Sequence, residues 1–262
     1  MKNILFAVAI IFSFLPAINA QSSDSTGLST GNIEPEKSIS YSGGYGHFFT
    51  GIAWVNPSDL VNHLRSPEVF GSSLKWNNMG VTAGAEGYAE LHRLLIGFGA
   101  FGMMVQDMEA DSGTTRFAHG GALVKVGYAI YQNPKYFLSV MAGFGGGLLY
   151  VGIDNESSQT PIYFSSNEPV LPRKDQDYYR GYVMYDLAIG NKFIATTVSP
   201  NSKRYSGFMI GLDLGATFGF PVDTWRDDNS SVTGIPNPGN IFSPFIRLTI
   251  GGGGFRKQAV PR

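Results

Sequence analysis

The stretch Gly207–Phe220, GFMIGLDLGATFGF, alternates without a slip. Phe208, Ile210, Leu212, Leu214, Ala216, Phe218 and Phe220 share one parity. Gly207, Met209, Gly211, Asp213, Gly215, Thr217 and Gly219 share the other. Period two is the signature of a β-strand, with successive side chains on opposite faces. One face is greasy. The other is small and nearly uncharged, with a single carboxylate in its middle. A strand of a soluble sheet normally turns charge to water, and this one has almost none to turn.

Seven further segments read as strands: Gly43–Val55, Leu74–Glu90, Arg93–Gln106, Arg116–Tyr131, Tyr136–Ile153, Tyr178–Asn191 and Ile241–Phe255. Each is near or above the roughly 9–11 residues that a tilted strand needs to cross a bilayer. The alternation recurs. Leu138, Val140, Ala142, Phe144 and Leu148 oppose Ser139, Met141, Gly143, Gly145 and Gly147, and Val183, Tyr185, Leu187 and Ile189 oppose Arg180, Tyr182 and Asp186. Gly43–Val55 is noisier, with Phe48, Ile52 and Trp54 on its apolar face, and Arg93–Gln106 is too apolar to assign.

The connections alternate in length. Asn56–Ser73, Asp107–Thr115, Asp154–Asp177 and Pro221–Asn240 are longer, while Leu91-His92 and Gln132-Asn133-Pro134-Lys135 are tight. Lys192–Arg204 is longer than that scheme allows. Long loops at one end and short turns at the other mark a barrel of the outer-membrane type. The composition agrees. Charged residues are only 15% of the 262, and glycine reaches 34, whereas a soluble surface alone carries about 25–35% charge. A net charge of −1 gives no electrostatic case for nucleic acid. Aromatics cluster near both strand ends, as interfacial girdles do. Trp54, Trp76, Tyr150, Tyr178, Tyr179, Phe220 and Phe242 fall at one end, and Tyr45, Tyr131, Tyr136, Tyr205 and Phe255 at the other.

The expected organisation follows. Residues 1–20 read as a cleaved signal peptide, with Lys2, the apolar Ile4–Leu15 and Ala20 before the cut. Residues 21–40 read as a flexible leader, 41–255 as the barrel and 256–262 as a tail. The fold class expected is all-β: a closed, antiparallel, up-and-down transmembrane barrel of eight strands. Ten is the alternative, should Asp154–Asp177 or Lys192–Arg204 hide a hairpin.

Over about 43–255 this pattern resembles the small eight-stranded outer-membrane barrels of Gram-negative bacteria, the OmpA/OmpX-like group. It departs in ending its last strand at Phe255 before Arg256–Arg262 rather than on a terminal aromatic. The wall-binding domain of OmpA is not seen, so wall anchoring is not implied. The resemblance implies a bacterial outer-membrane location, with outer-membrane lipid, lipopolysaccharide and extracellular or host surface molecules as partners.

Candidate chemistry is sparse. Glu86, Lys125, Arg180, Asp186, Asp213 and Arg247 all fall on non-lipid faces, and in a narrow barrel they are expected to pair across the axis and plug it. Asp213 is expected to pair with Lys125, Arg180 or Arg247. Asp107, Glu109 and Asp111 form an acidic hairpin tip whose oxygens could take Ca²⁺, though a solvated tip is preferred and no metal or cofactor is expected. Gly97–Gly102, GFGAFG, matches G-x-G-x-x-G, but Met103–Val105 continue a strand where nucleotide binding needs a helix. His119 with Asp111 and Ser112 is the one mouth set from which a lipid-A acylase or acyltransferase could be assembled. Pro57–Arg65 could form a helix capped by Ser58, with Leu60 and Leu64 on one face. Ile162, Tyr163 and Phe164 stand as loop contacts. The function expected is a monomeric, non-enzymatic structural or surface-interaction barrel. The alternatives are a narrow pore, a lipid-A-modifying enzyme and a soluble lipid-binding barrel.

Overall fold

The computed structural model describes residues 39–55, 57–65, 71–111, 113–155, 175–196, 204–227, 230–232 and 238–259. The signal segment, residues 21–38 of the leader and Ile162–Phe164 lie outside them, while Ile39 and Ser40 already belong to the first strand. Eight long strands are present: β1 Ile39–Trp54, β2 Met79–Leu91, β3 Leu94–Ala110, β4 Gly113–Gln132, β5 Tyr136–Asn155, β6 Asp175–Thr196, β7 Arg204–Pro221 and β10 Ile241–Ala259. Two are short, β8 Trp225–Asp227 and β9 Ser230–Val232. Each long strand pairs antiparallel with the next in the chain, and β1 pairs with β10 along Ile39↔Ala259 to Ala53↔Phe245. The fold is therefore a closed, all-β, up-and-down barrel of eight strands.

Among the described residues one short extra hairpin is present, and residues 156–174 and 197–203 of the two connections expected to hide one lie outside them. β8 and β9 sit in the connection after β7, and β8 pairs with β6 through Tyr178↔Asp227 and Tyr179↔Arg226. It extends one edge without adding a stave. Lys192–Arg204 is anomalous as a loop because β6 runs on through it to Thr196. The strand read from Leu74 instead starts at Met79, since Leu74 turns inward ahead of it and is buried.

The short turns are tight. His92 and Arg93 carry β2 into β3 with φ of 50° and 73°, the left-handed geometry that a two-residue hairpin needs and that asparagine or glycine usually fills. At the next turn Asn133 Oδ1 accepts the backbone N–H groups of Lys135 and Tyr136 at 2.8 and 2.7 Å. An Asx-type bond of this kind fixes the chain reversal locally.

Alternation assigns the faces. Phe48, Val81, Phe98, Met104, Val124 and Leu148 point outward and are exposed. The apolar β3 resolves the same way, with Leu95, Met103 and Val105 inside. A bulge between Val105 and Met108 then returns Met108 to the interior. On the outward face no charged side chain lies between Arg116 near one end and Arg204 and Arg256 at the other.

The interior is filled in three layers. Toward the long-loop end, Val55, Leu74, Val105, Phe117, Met184 and Phe245 belong to one apolar cluster. Helix α1, Ser58–Leu64, adds the buried Leu60 and Leu64 to it. Pro57 occupies the N-cap and no side chain caps the helix; Ser58 Oγ instead donates to Asp59 Oδ1 at 3.4 Å. Toward the short-turn end, Tyr41, Tyr45, Tyr88, Phe137, Tyr205 and Phe255 form a second cluster with a high aromatic content. Charge lies between the two.

Candidate functional site

Six charged side chains on five strands converge between the apolar clusters. Lys125 on β4 is the hub, with Nζ 2.5 Å from Glu86 Oε1 on β2 and 3.0 Å from Asp186 Oδ1 on β6. Lys192 on β6 reaches Asp213 Oδ1 on β7 at 2.9 Å. Arg247 on β10 stands 3.9 Å from Glu86 and 3.8 Å from Asp186. Three carboxylates thus face three cations. Burying such groups is costly unless each is paired, and the close pairs meet that demand for both lysines.

Arg247 is stabilised differently. Its guanidinium carbon lies 3.5 Å from the ring centre of Phe245, 4.5 Å from Phe49 and 5.3 Å from Phe101. Desolvated cation–π contacts are worth about 2 kcal/mol or more. They offset carboxylate contacts that are longer than hydrogen bonds.

Glycine makes the room. A Cβ on Gly143 would stand 3.2 Å from Lys125 Cγ and 3.3 Å from Asp186 Cβ. One on Gly190 would meet Asp213 Oδ1 at 2.7 Å and Lys192 Nζ at 2.8 Å. The glycine-rich parity of the strands is thus the space into which the ion pairs fold.

Of the six residues expected in the lumen, Glu86, Lys125, Asp186, Asp213 and Arg247 come together. Arg180 does not. It lies toward the mouth, with its guanidinium 5.8 Å from the Trp225 ring. Asp213 takes Lys192 rather than Lys125, Arg180 or Arg247 as its close partner. Lys192 falls outside the strand read from the sequence, which ends at Asn191, whereas β6 continues to Thr196. His47 was missed within the noisiest strand, although it shares parity with no outward residue of β1.

His47 sits beside the ion pairs, 5% exposed. Its Nε2 is 3.5 Å from Glu86 Oε2 and 3.7 Å from Asp213 Oδ2. Nδ1 makes no hydrogen bond among the described residues. The ring stacks on Tyr45 and Tyr88 at centroid distances of 5.9 and 6.0 Å. Among the described residues, His47, Glu86 and Asp213 are the one set of three His, Asp or Glu side chains whose ligand atoms lie within 4.8 Å of one another.

The acidic tip does not form such a set. Asp107 accepts from exposed Arg116 Nε at 3.3 Å, and the Asp111 backbone N–H donates to Ser73 Oγ. Nor does the mouth set assemble. His119 points into the barrel and is buried against Phe101 and Phe117 at 5.7 and 6.3 Å, while Asp111 is exposed at the hairpin tip. Ser112 lies outside the described residues. Gly97–Gly102 is continuous β3, with no helix to cradle a phosphate.

The girdle reading also needs correction. Trp54, Tyr179, Phe220, Phe242 and Tyr131 face outward as expected. Tyr45, Tyr178, Tyr205 and Phe255 turn inward and are buried, because their parity is that of the lumen set. Their rings fill the barrel instead of ringing it.

No family model matches the chain, and no curated protein matches it. Among solved structures it is similar to the outer membrane protease OmpT from Escherichia coli, with 10% identity and a TM-score of 0.28. The match covers 84% of this chain and 96% of that one. Nothing about activity follows from a likeness at that level.

Proposed function

We propose that this chain is an outer-membrane barrel with a sealed lumen, serving as a membrane-anchored scaffold rather than a conduit. The observation that carries it is the outward band of exposed apolar residues, unbroken by charge on all eight long strands. A soluble barrel would present that band to water, where a contiguous apolar surface of this extent invites association. Against lipid it is the expected exterior of a spanning barrel. Below, Tyr128, Tyr131 and Phe193 face out near the short turns, and above, Trp54, Tyr179, Phe220 and Phe242 do so near the loops.

Filling on the inside argues for a scaffold over a pore. An eight-stranded barrel has an interior just wide enough for side chains, and here apolar layers stand on both sides of a neutralised charged layer. This reading follows the resemblance of the strand pattern to the small barrels of the OmpA/OmpX-like group. Residues 1–20 direct export in this reading, and the loops, including Ile162–Phe164, meet lipopolysaccharide or extracellular molecules. No step in it is catalytic.

The test is fractionation of a Gram-negative host expressing the full chain. A band in the outer-membrane fraction whose gel mobility shifts on boiling is expected. Recovery as a soluble periplasmic protein would overturn the proposal.

A further inference from the structure

We infer that the lumen holds a site for one divalent first-row metal ion of the zinc class, with His47 Nε2, Glu86 Oε2 and Asp213 Oδ2 as ligands. The distances carry the inference. Zinc bonds nitrogen and carboxylate oxygen at about 2.0–2.2 Å. A tetrahedron of that size has edges of about 3.3–3.6 Å. The His47 Nε2–Glu86 Oε2 and His47 Nε2–Asp213 Oδ2 separations are 3.5 and 3.7 Å, close to two of those edges, and the ligand atoms of the three residues all lie within 4.8 Å of one another, so closing the set on an ion asks chiefly that the two carboxylates draw together.

The surroundings are those of a built site. The imidazole is buried and its Nε2 has the two carboxylates as its near polar partners, while Nδ1 makes no hydrogen bond among the described residues. Lys125 and Lys192 hold the far oxygens, Glu86 Oε1 and Asp213 Oδ1, and so orient the near ones. Partners of this kind fix ligand direction in metal sites generally. Tyr88 donates its hydroxyl to Glu86 Oε2, which keeps a second lone pair for the metal. The ligand set of one nitrogen and two oxygens leaves a fourth position open.

Backbone space is provided for the histidine. Gly251 on β10 lies directly across from His47 in the β1–β10 register. A Cβ there would stand 2.5 Å from His47 Cα and 2.6 Å from its Cβ. The missing side chain lets the ring approach Asp213 on β7, across β10. The ligands therefore span β2, β1 and β7, and the ion would bridge the β1–β10 seam that closes the barrel. The lumen cations balance its carboxylates, so no surplus negative charge draws the ion in.

The test is titration of Co²⁺, then Zn²⁺, into the purified, folded full chain. Wild type is expected to bind one equivalent of Co²⁺ with the intense visible bands of four-coordinate cobalt, and Zn²⁺ is expected to displace it. His47→Gln and Asp213→Asn are expected to lose those bands, and His63→Ala to keep them. A measurement on the unmutated protein stands beside this. In a ¹⁵N-histidine spectrum, one imidazole of the four is expected to shift with one equivalent of Zn²⁺. No stoichiometric binding, or bands that survive in folded His47→Gln, would overturn the inference.

Discussion

At its outer end the lumen is filled partly by a loop: Leu60 and Leu64 arrive on α1, and Leu74 on the segment after it, to pack on strand-borne Phe117 and Met184. At its inner end the fill is carried by strands alone: Tyr41, Tyr45, Tyr88, Phe137, Tyr205 and Phe255 are all strand residues. A strand-borne plug forms with the barrel and cannot leave without unfolding it. A loop-borne plug can lift away while the staves stay paired. The inner seal is therefore intrinsic to the fold, whereas the α1 part of the outer one is a cover over strand-borne side chains such as Phe117, Leu149 and Met184, with the charged layer between the two ends common to both.

Three variants probe that difference. Lys125→Met acts on the shared layer and has the largest effect. It leaves Glu86 and Asp186 without their ammonium partner, and breaking a buried pair in this way costs about 3–5 kcal/mol. The readout is a lowered urea midpoint of the barrel refolded in lipid vesicles. Phe137→Ala, in the inner seal at 0% exposure, is expected to cost about 3 kcal/mol in the same assay. The double variant Leu60→Ala/Leu64→Ala is expected to move the midpoint less, by about 2 kcal/mol, because α1 can detach rather than leave a cavity. Trypsin should then cut at Arg65 while the barrel stays resistant. An equal loss in the last two, with no new cleavage, would mean that the two ends are closed in the same way.

The same contrast separates what could be read in the sequence from what could not. Strand-borne features follow parity, and parity is written in the chain. Gly207–Phe220 assigned Asp213 to the interior, and β7 places it there, buried beside Lys192. The same rule reaches Tyr45, Tyr205 and Phe255, which share parity with His47, Met209 and Arg247; reading them as a girdle set position along the strand above facing. Lys192 lies one pleat beyond Asp186, Ala188 and Gly190, and continuing β6 through Phe193 and Ile194 would have included it. Loop-borne features carry no such signal. The helical spacing of Leu60 and Leu64 foretold a helix with one apolar face but not what that face would cover. That Asp213 pairs with Lys192 rather than Arg247, its neighbour in the β7–β10 register, depends on side-chain reach across the lumen. Alternation gives a side chain's face but not its reach.

Planar-bilayer recording of the purified full chain tests the sealed barrel most directly. With both seals and the charged layer in place, insertion is expected without steady conductance, and Leu60→Ala/Leu64→Ala is expected to record the same flat baseline because the inner seal remains. A steady, reproducible unit conductance from the unmodified protein would contradict the account.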